Sequence, residues 1–144
     1  MKTVRDVLHH KGDDVFSIGP IDTVYEAISM MADRHVGALP VMLDGQMVGI
    51  VSERDYARKV ILEDKSSKQT RVSEIMTRDV VSVSPRDHVE DCVGLMNEHH
   101  IRHLVVVEEG VVVGMLSTRD LFSEIIDEQA FTIDQLQHYI RGQA

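Results

Sequence analysis

Seven residues with the makings of a small-molecule grip occur twice in this chain, as Gly49-Ile50-Val51-Ser52-Glu53-Arg54-Asp55 and as Gly114-Met115-Leu116-Ser117-Thr118-Arg119-Asp120. In each, an apolar run that reads as a strand gives way to a Ser-x-x-Asp that opens a helix. A glycine in such a strand lets a ligand or another backbone come close. The free amides of a helix N-terminus attract anions, and the adjoining arginine offers a guanidinium fork to the same charge. The aspartate, one turn along, is an acceptor with two oxygens that suit the paired hydroxyls of a ribose. Ser-x-x-Asp also caps a helix with no ligand at all. Capping, however, asks for no arginine at the third position, and both segments carry one.

Other chemistry is poorly supplied. A serine with His and Asp becomes a nucleophile on a strained elbow beside an oxyanion hole, whereas Ser52 and Ser117 sit at ordinary strand-to-helix joints. No Walker loop and no dinucleotide glycine fingerprint occurs. A bound ligand would therefore act as a signal, not a substrate. His99-x-x-x-His103 has the spacing of a helical metal pair. The helix is expected to end near His100 and the next strand to begin near Leu104, so the two rings share no face, and no third ligand stands at a usual spacing. Cys92, the single cysteine, falls on the apolar side of a helix and reads as a core thiol. With one cysteine there is no disulfide framework and no four-thiolate zinc site.

The elements that must position these residues form an internal repeat. At a shift of 65, residues 15–60 align with 80–125 without a gap and about a third of the positions are identical, among them Pro20/Pro85, Met31/Met96, His35/His100, Leu39/Leu104 and Gly45/Gly110. The lead-in segments match as well, VRDVL at Val4 with VSEIM at Val72, the first copy having three extra residues around His10-Lys11-Gly12. Each copy reads as strand, helix, hairpin, helix. Val15–Ile18 is a short β run. Thr23-x-x-Glu26 predicts a capping box, with Asp87-x-x-Glu90 as its repeat. Val24, Ile28, Met31 and His35 recur at helical spacing. Ala38–Leu43 and Met47–Val51 are strands around a two-residue Asp44-Gly45 turn, with Glu109-Gly110 in the same place later. Polar Glu63–Thr70 separates the copies. The last helix of copy two is expected over Arg119–Asp127, and Thr132-x-x-Gln135 is expected to start a further helix. Its Ile133, Leu136 and Ile140 make a stripe that must cover something.

A copy of this size is marginal alone. Two copies packed sheet to sheet bury both apolar faces and leave two equivalent clefts at the junction, a favoured place for small ligands. Composition agrees with a globular chain of 144 residues: 43% hydrophobic, 27% charged, with 4% aromatics and no Trp, so the core is aliphatic with Met as filler. The net charge of −9 disfavours polyphosphate backbones and excludes a general nucleic-acid binder. No apolar run approaches the ~20 residues of a membrane span. Met1–Lys11 has no apolar signal core, which predicts a cytoplasmic protein.

The two G-h-h-S-x-R-D segments, His-Val-Gly-Ala-Leu-Pro-Val from His35 and His-Ile-Arg-His-Leu-Val-Val from His100 are specific as a set. On them the chain resembles a tandem pair of cystathionine-β-synthase (CBS) domains, a Bateman module, over roughly residues 4 to 126. Lys11-Gly12 and His138-Tyr139-Ile140-Arg141-Gly142 resemble its small stand-alone bacterial branch. The resemblance implies an α/β (α+β) fold of two pseudo-symmetric β-α-β-β-α repeats packed through their sheets, plus a C-terminal helix. The repeats are expected at 4–64 and 72–127, with a linker at 65–71 and an extension at 128–144.

It also implies adenosine-nucleotide sensing in clefts built from both copies. One site would place Ser17, Ile18, Pro20, Gly37, Ala38 and Pro40 around adenine, with Ser117, Arg119 and Asp120 from the other copy and Asp120 on the ribose. The other would use Ser82, Val83, Pro85, Arg102, His103 and Val105 against Ser52, Arg54 and Asp55. Arg34, His35, His99 and His100 lie where such modules place phosphate contacts. The chain departs from the pattern at Val105, where Pro is usual, and at Arg102 and His103, which replace the small Gly37 and Ala38. The clefts should thus differ in shape and charge, which suits one of them to a more heavily phosphorylated ligand or to NAD. The expected ligands are AMP, ADP, ATP or NAD, with S-adenosylmethionine as a further candidate. No catalytic residue, metal, nucleic acid or membrane is expected, and the partners are a second copy in a homodimer and an unidentified protein in trans. Two other readings stay open: a dimeric interaction scaffold with empty clefts, and a divalent-metal sensor using His99, His100 and His103.

Overall fold

A computed structural model of the protein describes residues 2–142; residues 143 and 144 of the expected extension lie outside them. The chain opens with helix α1 (Val4–Lys11) and continues into α2 (Val24–Arg34). Next come the hairpin β1 (Ala38–Leu43) and β2 (Gln46–Ser52), then α3 (Glu53–Tyr56), which runs on as a π turn over Ala57–Ile61. The second half repeats this order with α4 (Val72–Ile75), β3 (Ser82–Val83), α5 (Val89–His99), β4 (His103–Glu108), β5 (Val111–Ser117) and α6 (Thr118–Ile140). The fold is mixed α+β, with β1 and β2 antiparallel in one sheet and β3, β4 and β5 in the other.

Local chemistry accounts for most of these boundaries. Both hairpins turn on two residues of positive φ, 51° and 77° at Asp44-Gly45 and 52° and 78° at Glu109-Gly110, the pairing that matches strand twist. His35 and His100 end α2 and α5 in the left-handed conformation, and the following amides, Val36 and Ile101, close back on the Met31 and Met96 carbonyls. This backbone role is one reason for a histidine at both positions.

Four expectations need correction. The β run at Val15–Ile18 shrinks to a single parallel bridge, Ile18 to Val41, and its mate is only two residues long. The cap of α5 is shifted by one residue: His88, not Asp87, is the N-cap and Asp91 bonds back to its amide, while Asp87 takes the Ser84 amide in the preceding turn. No helix starts at Thr132. Its hydroxyl bonds to the Glu128 carbonyl one turn back, and α6 runs unbroken for 23 residues because the sequence there has no Gly or Pro. The stripe on its second half covers nothing within the chain: Ile133 and Leu136 are each 56% exposed and Ile140 81%.

Two cores form, and each is completed by the other half. The first joins Val24, Met31, Leu39, Val41 and Val51 to Val72, Ile75 and Met76 of the α4 segment. The second joins Val89, Met96, Leu104, Val106 and Leu116 to Val4 and Val7 of α1. Backbone bonds pin these exchanged lead-in helices, from Ser73 and Val72 to the Pro20 and Asp22 carbonyls and from Arg5 and Val4 to those of Pro85 and Asp87. Strand alternation turns Leu39, Val41, Leu104 and Val106 into the cores. It turns Ala38, Pro40 and Val105 to the opposite face, where they too are buried although they belong to neither core. At its edge the halves meet, where the His103 ring lies 3.1 Å from the Cβ position of Gly37. Cys92 lies in the second core, and burial pushes its thiol up to about 11, out of nucleophilic range.

Glu124, on α6, is a buried carboxylate 4% exposed. One oxygen takes Lys2 at 2.7 Å and the other meets His10 at 2.6 Å, so both ends of α1 are stapled to α6. Burial alone would raise its pKa; the hydrogen bonds from Lys2 and His10 outweigh it and hold the carboxyl below its usual value of 4.5. The matching effect raises Lys2, chiefly through the same bond.

Two outcomes are expected. Stability from Glu124 is fully present above its ordinary pKa and is lost as pH falls through the lowered one, so denaturant titrations at stepped pH should show a smaller acid-side loss in Glu124→Gln than in the wild type. At Gly49 an added Cβ meets the Thr77 carbonyl at 2.9 Å, whereas at Gly114 it meets the movable Leu8 methyl at 2.7 Å. Gly49→Ala should therefore cost about 1–3 kcal/mol and Gly114→Ala less, read from urea midpoints.

Candidate functional site

Each Ser-x-x-Asp is a capping box. The Ser52 hydroxyl takes the Asp55 amide at 3.2 Å and Asp55 Oδ2 takes the Ser52 amide at 3.0 Å. Ser117 and Asp120 repeat this at 3.2 and 2.8 Å. In each pair the serine amide bonds to Oδ2 of the carboxylate, which holds the side chain at the mouth of its helix. The glycines of the motif serve a neighbour within the protein: Gly49 and Gly114 admit the segments of α4 and α1, as the close approaches of Met76 and Leu8 show.

A cleft opens beside each carboxylate. The one at Asp55 holds about 640 Å³ and the one at Asp120 about 410 Å³, both within the ~300–1,000 Å³ typical of small-molecule sites. Each is built from the two halves. Ser52, Arg54 and Asp55 face Arg102 and His103 across the first; Ser117, Arg119 and Asp120 face Gly37, Ala38 and His35 across the second. His103 borders both, and its ring lies 3.1 Å from where a Cβ on Gly37 would stand. Burial is the main cause that keeps its pKa below the usual imidazole value, with Lys11 and Arg102 adding to the shift and Asp120 opposing it.

The remaining expected residues fall elsewhere. Ile18, Pro40, Val83 and Val105 are buried, and Ser17 and Ser82 are exposed at the strand edges; none lines a cleft. Pro20 and Pro85 give their carbonyls to α4 and α1. Arg34 lies over the Phe16 ring at 4.7 Å, and so reaches the Asp120 cleft only through that ring. His99 and His100 line neither cleft, though the His100 carbonyl takes the Arg54 guanidinium at 2.9 Å. Arg119 makes no such bond among the described residues. No three of His, Cys, Asp and Glu gather as a metal site among the described residues.

The residues that do line the clefts beside the motif precede the short strands: Asp14 and Phe16 in one, Asp79 and Val81 in the other. These are equivalent pairs at the same shift of 65, so the repeat contained the signal. Lys11, in the second cleft, comes from the three-residue insertion and has no counterpart.

Comparison with known proteins agrees with this architecture. A family model of the CBS domain matches residues 4–62 and again 72–127. The mitochondrial CBS-domain protein CBSX3 of Arabidopsis thaliana is 35% identical over 149 residues, covering 97% of this chain and 72% of its own. The CBS-domain protein YhcV of Bacillus subtilis is 35% identical over 121 residues, 84% of each chain. A solved CBS-domain protein of Burkholderia ambifaria, assigned to signal transduction, superposes with a TM-score of 0.86 at 44% identity, covering 89% of this chain and 96% of that one.

The shared wall between the clefts carries a prediction. The His103 imidazole should titrate below 6.5 in an NMR pH series, since burial disfavours its charged form; a midpoint at or above that value would contradict the enclosed geometry.

Proposed function

The chain belongs to the CBS-domain family as a tandem pair of such domains, and from that premise we propose that it is a regulatory module binding an adenosine nucleotide, AMP, ADP, ATP or NAD, between its halves. The observation that carries this reading is the pair of inter-repeat clefts, each with an aspartate fixed by its own cap and an arginine beside it. Oδ2 of each aspartate is engaged by the cap, and Oδ1, which in Asp55 also meets Lys59, is the acceptor for ribose hydroxyls. The arginines supply positive charge for phosphate, and His35 offers a ring N–H in the Asp120 cleft. The chain acts as a sensor, not an enzyme: the nearest candidate nucleophiles, Ser52 and Ser117, spend their hydroxyls on helix caps.

A ligand spanning a cleft touches both halves, so it favours whichever relative arrangement fits it and shifts the population by its differential affinity. Output then passes through a surface that changes with that arrangement. Among the described residues no helix is long and apolar enough to cross a membrane, and a cytoplasmic partner in trans fits the reading. The exposed stripe of Phe122, Ile126, Ile133, Leu136 and Ile140 on α6 recurs at helical spacing and fits pairing with a second copy.

Thermal denaturation against adenosine, AMP, ATP, NAD and S-adenosylmethionine tests the first claim. Saturable stabilisation of about 2.7 kcal/mol at a hundredfold excess over Kd is expected, and a flat response to all five would favour an empty scaffold. Asp55→Ala and Asp120→Ala should each weaken binding in their own cleft by about 1.5–3 kcal/mol, measured by calorimetry with unliganded Tm as the control for the lost cap. Sedimentation should find a dimer in the wild type and a monomer in the Ile133→Asp, Leu136→Asp double variant.

A further inference from the structure

The two clefts neutralise their carboxylates in different ways. Asp55 Oδ1 lies 3.1 Å from Lys59 Nζ, one turn along its own helix, and Lys59 also donates to the Ile75 carbonyl at 2.8 Å. The residue equivalent to Lys59 in the second half is Glu124, so charge is reversed there and Asp120 has no such neighbour. Its cation comes from outside. Lys11 Nζ donates to Asp120 Oδ2 at 2.8 Å and to the Met115 carbonyl at 2.7 Å. Met115 is equivalent to Ile50, whose carbonyl in the first cleft is taken by the Thr77 amide at 2.8 Å. Lys11 therefore replaces a backbone bridge and a helix lysine together. The insertion His10-Lys11-Gly12 makes this possible: Gly12, at φ 94°, ends α1 and sets Lys11 at the edge of the cleft.

Resting on the nucleotide-sensing reading, we propose that Lys11 is a specificity-determining residue of the Asp120 cleft, favouring phosphorylated nucleosides over neutral ones. A ribose on Asp120 Oδ1 lies beside the ammonium held on Oδ2, so the pair need not break. The side chains of the pair are only 33% and 17% exposed, so water screens their charges incompletely. With two of its three N–H groups engaged, the ammonium has one left to offer a phosphate on the same ligand. A neutral nucleoside brings no anion for it. Charge in the cleft sharpens the effect: Lys11 and Arg119 balance Asp14 and Asp120, and removing Lys11 leaves a net negative site that repels phosphate. The Asp55 cleft lacks this filter, because Lys59 does not line it whereas Lys11 lines the other.

The test is site-resolved NMR titration of the full chain with adenosine and with ATP, read at the Met115 methyl, which lines this cleft, with the Ile50 methyls reporting the other. In Lys11→Met the preference for ATP over adenosine at Met115 should shrink about tenfold or more, as expected for a charge-assisted bond, while the preference at Ile50 is unchanged. Lys11→Arg should retain the wild-type preference, and its retention guards against a folding defect in the Met variant. An unchanged preference in Lys11→Met overturns the proposal, as does equal tightening of both ligands, which would make Lys11 a simple plug. A wild type that binds neither ligand at either methyl overturns the sensing reading itself; one that binds both, with Lys11→Met behaving alike, overturns only the role of Lys11.

Discussion

Neither half of this protein closes its own core. The first is completed by Val72, Ile75 and Met76 and the second by Val4 and Val7, each set delivered by the lead-in helix of the other half. A repeat of some fifty-five residues buries too little apolar surface to stand alone, and reciprocal exchange enlarges both cores at once. It also fixes how the halves sit, because three backbone hydrogen bonds tie each exchanged segment to the turn before a long helix: those of the Val4, Arg5 and Val89 amides on one side mirror those of Val72, Ser73 and Val24 on the other. The clefts exist because this arrangement brings the start of β1 beside the end of β5, and the start of β4 beside the end of β2.

The exchange explains features that seem to belong to a ligand site. Gly49 and Gly114 are small because a lead-in segment crosses them. Pro20 and Pro85 present carbonyls to α4 and α1. His35 and His100 end helices in a conformation that few side chains tolerate. What remains for the proposed ligand is compact: a carboxylate held by its own helix cap, an arginine next to it, and the wall formed by Gly37, Ala38, Arg102 and His103, with His35 serving both its helix end and the Asp120 cleft. Capping does not compete with the proposed binding, since the cap uses one carboxylate oxygen of each aspartate.

Pseudosymmetry is broken where charge is concerned. Lys59 becomes Glu124, and α1 compensates twice, covering Glu124 with Lys2 and His10 and covering Asp120 with Lys11. The same short helix thus joins the stability of the second core to the state of one cleft. Arg102 and His103 in place of Gly37 and Ala38 add a second asymmetry, and His103 reaches across the pseudo-twofold axis to form part of both clefts.

Much of this was legible in the residues. Identity at a shift of 65, the hairpin turns and the paired Ser-x-x-Asp motifs specify the repeat, its strands and the carboxylates at the cleft, because each rests on interactions a few residues apart. The misplaced cap at Asp87, the expected helix start at Thr132 and the over-long strand at Val15 were failures of local reading, where a neighbouring turn or an unbroken run outweighed a short pattern. Other facts depend on contacts between residues about a hundred positions apart: which core α1 enters, why Ser17 and Pro20 leave the cleft to Asp14 and Phe16, and that Lys11 meets Asp120. No periodicity encodes such a contact. It is decided when apolar surface is buried across the two halves, and the polar groups near that boundary then take the partners it brings within reach.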